Sequence, residues 1–264
     1  MAVTDARISD LPDLGVGFPT VAAMARERAL TAPRQVAMRE KDSGIWHEYT
    51  WSDTWERVLD AAHGLLALGV DVGDRVCIHS EDRPHWIVLD LATVAVRAVT
   101  VGLYPTNPTA EVRYLLADSE SAVLLAEDQE QVDKALAVDR SEAPSLHRII
   151  YVEPRGVRQY DDDRLLSWRD FLELGRRHRA ERPGEVERRM AGAEGGDVMT
   201  IVYTSGTTGP PKGAMLTNDN AAFCIERIVA DGERLDGWRL FLTHTGTANG
   251  AGGALTCGGV PTRL

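Results

Sequence analysis

The residues of this chain whose types and spacing could do chemistry are Thr204-Ser205-Gly206-Thr207-Thr208-Gly209-Pro210-Pro211-Lys212-Gly213. Three glycines allow positive φ and close backbone approach, and two prolines stiffen the second half. Hydroxyls, backbone N–H groups and one ammonium supply convergent donors, a concave backbone and a cation. A polyphosphate needs those three things. Lys212 carries extra weight, because only three of the 29 basic residues are lysine: Lys41, Lys134 and Lys212. A compact ammonium enters among phosphate oxygens as a point charge, where a planar guanidinium fits differently.

The spacing is not that of the common phosphate loop, G-x-x-x-x-G-K-[ST]. Pro211 precedes the lysine and Gly213 follows it. Strand-forming residues flank the loop at 198–203 and 214–216, and a helix waits until Asn218 with Thr217 as its cap. Helix-dipole stabilisation is therefore not available directly after the loop. Loop amides, hydroxyls and the lysine must act as the donors. A ligand-free Gly/Pro-rich hairpin is the competing reading of such a composition.

A loop of this kind needs a rigid scaffold, and the chain supplies alternating periodicities. An amphipathic helix is expected at 20–31, with Val21, Met24 and Ala25 inward. A hairpin follows, with strands at 36–40 and 45–50 around a turn at 41–44. The strongest helical pattern runs over 52–68, with Ser52 as N-cap and Gly69 as the stop. Strands at 75–79, 98–103, 122–126 and 148–152 then alternate with helices at 84–96, 109–117 and 129–138. Residues 154–163 read as a surface excursion, 167–179 as a helix, and the mixed charges of 176–189 as a solvated face. Together these predict a layered α/β fold with a largely parallel sheet. The loop is expected between two strands of a second sheet system.

Composition narrows the function classes. A formal net charge of −11 argues against a general nucleic-acid or anionic-membrane binder. Cys77, Cys224 and Cys257 are too few and too scattered for a disulfide framework, which points to a reducing, cytoplasmic setting. No apolar run approaches membrane-spanning length, and peripheral membrane contact is left open. The histidines lack zinc-ligand spacing, no metal-ligating residue is assigned, and no nucleophile elbow appears.

Residues 203–213 resemble the phosphate-binding motif of adenylate-forming (AMP-binding) enzymes, the superfamily of acyl- and aryl-CoA synthetases, adenylation domains and luciferases. The resemblance extends upstream through 49–51, 68–76 and 83–86. Residues 101–108 with 111–119 look most like the long-chain fatty acid–CoA ligase branch. About residues 18–230 are covered. Arg97 stands where the family usually has a small residue and Asp82 where it often has asparagine, two places where local packing could be perturbed. Trp51, Trp55 and Trp86 are expected to be packing residues.

The resemblance implies the fold of that family's N-terminal domain, incomplete here, and two half-reactions. A fatty acid carboxylate attacks Mg-ATP to give an acyl-adenylate, and coenzyme A then takes the acyl group as a thioester. Thr204, Ser205, Gly206, Thr207, Thr208, Gly209 and Lys212 are the implied ATP phosphate-binding residues. ATP, Mg2+, the fatty acid and coenzyme A are the implied small-molecule partners. A catalytically inactive remnant and an adenylation domain with a carrier-protein acceptor are the alternatives.

The resemblance further implies a truncated N-terminal fragment that is inactive alone. Its parts are a loosely attached 1–17, a partial AMP-binding domain at 18–236 and an atypical 237–264. That last segment contains no Asp or Glu, although the first 236 residues hold all 40. A changed reading frame and a divergent native tail are the two explanations.

Overall fold

The computed structural model describes residues 18–204, 209–231, 242–244 and 255–257. Helix α1 (Val21–Thr31) is capped by Thr20, whose hydroxyl accepts from the Ala23 amide at 3.0 Å. Strands β1 (Val36–Asp42) and β2 (Ile45–Thr50) form a separate antiparallel ribbon. The expected four-residue turn contracts to Ser43 and Gly44, at φ 49° and 83°. Two consecutive positive values are what a two-residue type I′ hairpin turn requires.

Helix α2 (Trp51–Ala67) is capped by Thr50 and not by Ser52. The Thr50 hydroxyl accepts from the Asp53 amide at 3.1 Å, and the Asp53 carboxylate accepts from the Thr50 amide at 3.0 Å. Ser52 has Trp55 three positions on and could not build this reciprocal box. At the other end Gly69 takes φ 84°. Its amide reaches the Leu66 carbonyl and that of Val70 reaches Leu65, both at 3.0 Å, closing a Schellman motif.

Strand and helix then alternate as the periodicity predicts, with ends moved by one or two residues: β3 (Arg75–His79), α3 (Pro84–Ala95), β4 (Val99–Leu103), α4 (Thr109–Ser119), β5 (Val123–Ala126), α5 (Gln129–Leu136) and β6 (Arg148–Tyr151). Two elements are additional. Strand β7 (Leu165–Ser167) precedes α6 (Trp168–Glu181), and helix α7 (Glu185–Ala191) occupies much of the charged stretch. Strand β8 (Val198–Thr204), strand β9 (Lys212–Thr217) and helix α8 (Asn218–Asp231) follow. Within 237–264, β10 (Leu242–His244) and β11 (Leu255–Cys257) pair antiparallel. The rest of that segment, and residues 1–17, lie outside the described residues.

Seven strands make one sheet in the order β7-β6-β5-β3-β4-β8-β9, parallel at every junction except β8/β9. The second sheet system expected around the loop is therefore not what forms. Strand β8 joins the parallel sheet beside β4, with Thr100 opposite Thr200 and Val101 opposite Ile201. The Thr200 hydroxyl donates to the Thr100 carbonyl at 3.0 Å. Within β8, Met199 and Thr200 are buried while Val198, Ile201 and Val202 are half-buried, as suits a strand next to the sheet edge.

Side chains alternate across that sheet with period two. Val76, Ile78, Val123, Leu125 and Ile150 pack with α1, α2, α3 and α6, while Cys77, Val101, Leu124 and Ile149 pack with α4 and α5. Trp51, Trp55 and Trp86 are buried as expected. Helices α2 and α6 approach closely because a Cβ on Gly175 would overlap the Asp60 carbonyl oxygen and sit 2.9 Å from the Gly64 nitrogen. Arg97 does not disrupt packing. It takes a left-handed φ of 62° and forks onto the Asp197 carboxylate at 3.0 and 3.3 Å.

Candidate functional site

The flanks of the Gly/Thr-rich loop are the paired ends of β8 and β9. Register places Thr204 opposite Lys212 and Tyr203 opposite Gly213. Cα atoms so paired are roughly 5 Å apart, so the hydroxyl and the ammonium leave the hairpin from adjacent points. Gly209 takes φ 98°, a conformation that side-chain-bearing residues rarely adopt. Lys212 is exposed, and among the described residues it has no ion pair. Ser205, Gly206, Thr207 and Thr208 lie outside the described residues. Of the seven expected phosphate-binding residues, Thr204, Gly209 and Lys212 are described, and the register brings Thr204 and Lys212 together.

Gly213 is there for space. A Cβ would lie 2.7 Å from Ile201 Cγ2 and 3.3 Å from the Tyr203 ring. With no side chain at Gly213, the Tyr203 ring lies along the hairpin, and its hydroxyl donates to Asp118 Oδ2 at 2.6 Å. Burial first and the Asp118 carboxylate second hold the Tyr203 phenol well above its ordinary range, so it remains a donor. One turn earlier on α4, the Tyr114 hydroxyl donates to the Pro211 carbonyl at 3.0 Å. Sequence reasoning missed Tyr114 and Asp118. Their only signal is an i, i+4 spacing of polar groups on a helix with an apolar face.

A second polar group sits at the C-terminal ends of the parallel strands, where open α/β sheets usually receive ligands. His79 ends β3 fully buried beside the backbone of Tyr104 and Pro105, which favours its protonated form, and among the described residues neither ring nitrogen has a partner in good hydrogen-bond geometry. Burial, with Lys134 adding to it, pushes its imidazole down to about 4. Lys134 itself donates to the Pro105 carbonyl at 2.9 Å and pairs with Glu130 at 2.7 Å. Two surface clefts, one lined by Arg97, Arg182 and Arg188 and the other by Asp60, His63 and Arg179, share no residue with the hairpin. Among the described residues no three His, Cys, Asp or Glu side chains gather to hold a metal ion. No helix among them is long and apolar enough to cross a membrane.

The family model described as AMP-binding enzyme matches residues 25–244. The chain is 35% identical over 222 residues to the long-chain-fatty-acid–CoA ligase FadD15 of Mycobacterium bovis, covering 81% of this chain and 35% of that protein. It is 27% identical over 195 residues to the long-chain-fatty-acid–CoA ligase ACSBG2 of Homo sapiens, covering 74% and 28%. Among solved structures, the anthranilate CoA ligase AuaEII in complex with anthranoyl-AMP superposes with a TM-score of 0.63 at 23% identity, over 81% of this chain and 36% of that one. Acetoacetyl-CoA synthetase from Streptomyces lividans gives 0.63 at 23%, over 80% and 32%. Those two likenesses bear on the fold. The chain spans 35% of the length of the FadD15 protein and less of ACSBG2.

Proposed function

The chain belongs to the AMP-binding enzyme family, and from that premise we propose that it carries the phosphate-holding part of an ATP-dependent fatty acid–CoA ligase. In the reaction a fatty acid carboxylate oxygen bonds to the α-phosphorus of ATP, and the bond to the departing pyrophosphate breaks. The coenzyme A thiol then displaces AMP from the acyl-adenylate to give a thioester. The kinship with FadD15, at 35% identity, supports a long-chain acid as substrate. Residues 18–236 are assigned to this partial nucleotide-binding domain.

The observation that carries the reading is the Lys212 ammonium, paired in register with Thr204 at the mouth of a hairpin whose Gly209 takes a positive φ, and not neutralised by a described carboxylate. In this reading the Thr204 hydroxyl, with those of Ser205, Thr207 and Thr208, and the amides around Gly206 and Gly209 hold the β- and γ-phosphates. Lys212 offsets the negative charge that builds up as pyrophosphate leaves. Fixed donors aimed at developing charge need no reorganisation during the reaction. Mg2+ would arrive with the nucleotide as part of the substrate and would supply charge neutralisation at its phosphates; no described residue is assigned to it.

Calorimetric titration of MgATP into the parent and Lys212→Ala tests the assignment. Loss of a charge-assisted contact should weaken binding about tenfold or more, with the urea midpoint unchanged because Lys212 is exposed. Equal affinities in the two proteins would remove Lys212 from the site. Pyrophosphate exchange with and without palmitate then examines the acid substrate.

A further inference from the structure

Past Ile201 the strand β8 has no register partner on β4, so residues 202–204 are held in the sheet only through β9. Apart from the Tyr203 ring, which is buried in the core, the mouth of the hairpin would without α4 rest on this strand pairing, with no other described anchor. Helix α4 provides one on each side. Asp118 accepts from Tyr203, the residue before Thr204, at 2.6 Å. Tyr114 donates to the carbonyl of Pro211, the residue before Lys212, at 3.0 Å. These two side chains are one helical turn apart and share a face of α4. The helix itself cannot shift freely, because Val112, Leu115 and Leu116 are buried against the sheet. Gly213 leaves room for the Tyr203 ring to make its reach.

We propose that Tyr114 and Asp118 are positioning residues, a clamp on α4 that fixes the spacing and direction of Thr204 and Lys212 for phosphate binding. They act through Tyr203 and Pro211 and need not touch the nucleotide. The inference rests on the phosphate-binding reading of the hairpin. It predicts that each residue matters more for affinity toward MgATP than for the fold, since Asp118 is exposed and Tyr114 half-buried.

The test uses Tyr114→Phe, which keeps the ring and removes only the hydroxyl, and Asp118→Ala, which suits a helix. Two quantities are measured on the 264-residue protein: MgATP affinity by calorimetry, and amide exchange by NMR in the nucleotide-free state. Each variant should bind MgATP about fivefold more weakly, the scale of one hydrogen bond. Exchange at Tyr203, Thr204, Lys212 and Gly213 should quicken while that of β3, β5 and β6 stays at the parental rate.

Unchanged exchange at those four amides overturns the clamp, whatever the nucleotide result. Faster exchange spread evenly through the central strands also overturns it, because the two residues would then serve the fold as a whole. Local loosening with unaltered MgATP affinity refutes the positioning role. A parent that binds no MgATP, or binds it as Lys212→Ala does, sinks the nucleotide reading instead, and with it the proposed purpose of the clamp.

Discussion

Replacing His79 by leucine should make the protein more tolerant of acid, by an amount that follows from its burial. His79 is fully buried at the end of β3, and desolvation of its ring outweighs the nearby Tyr104 and Pro105 backbone, which favours the protonated form. Its imidazole is pushed from an ordinary 6.5 down to about 4. The folded state therefore refuses a proton that the unfolded chain accepts. Its contribution is fully present above pH 6.5 and is lost progressively as pH falls toward 4. At pH 5 the linkage amounts to about 2 kcal/mol.

Leucine has nothing to protonate, so the pH dependence that His79 contributes disappears in His79→Leu, whatever the offset between the two proteins at pH 7.5. Urea unfolding of both proteins at pH 7.5 and pH 5 isolates the effect. The stability gap should shift toward the variant by about 2 kcal/mol between the two conditions. His85, also pushed down to about 4, is present in both proteins and cancels. A gap equal at both pH values would refute the argument that burial excludes the proton from His79.

Three further outcomes are open to measurement alongside the clamp variants. Lys212→Ala should lower MgATP affinity about tenfold without moving the urea midpoint. Gly175→Ala should destabilise by about 3 kcal/mol, because its methyl would overlap the Asp60 carbonyl and force α2 from α6; a loss under about 1 kcal/mol by urea unfolding would show that the helices yield easily. Arg97→Gly should be more stable than Arg97→Ala by roughly 1 kcal/mol, since both lose the Asp197 pair but only glycine relieves the left-handed backbone. Equal melting of those two variants would remove the strain argument.

Much of the fold is legible where one periodicity dominates. The run 75–79 and the pattern from Trp55 to Leu66 announce β3 and α2, because apolar residues there recur at strand or helical spacing. Strand β7 is hidden because it has three residues and is recruited by pairing with β6. Helix α7 is hidden because only Val186 and Met190 mark its inner face. The Thr50 cap was readable in principle from Asp53 three positions later. Sheet order was not, since nothing local tells residue 200 to pair with residue 100. The loop announces its chemistry through composition, whereas its supports on α4 lie 85 and 97 residues away from their partners.

That hundred-residue separation between β4 and β8 also sets an order of assembly. Strands β3, β4 and β5 are close in sequence and can pair soon after they are synthesised, but the outer edge of β4 must wait for Thr200 and Ile201. At typical translation speeds a hundred residues take roughly 5–20 s. Closing so long a loop is among the slower steps of folding. The hairpin that presents Lys212 therefore acquires its geometry late, against a surface already formed. Until then the edge of β4 is an open seam, and the interval is when a chaperone or a stray strand has its best chance to reach it.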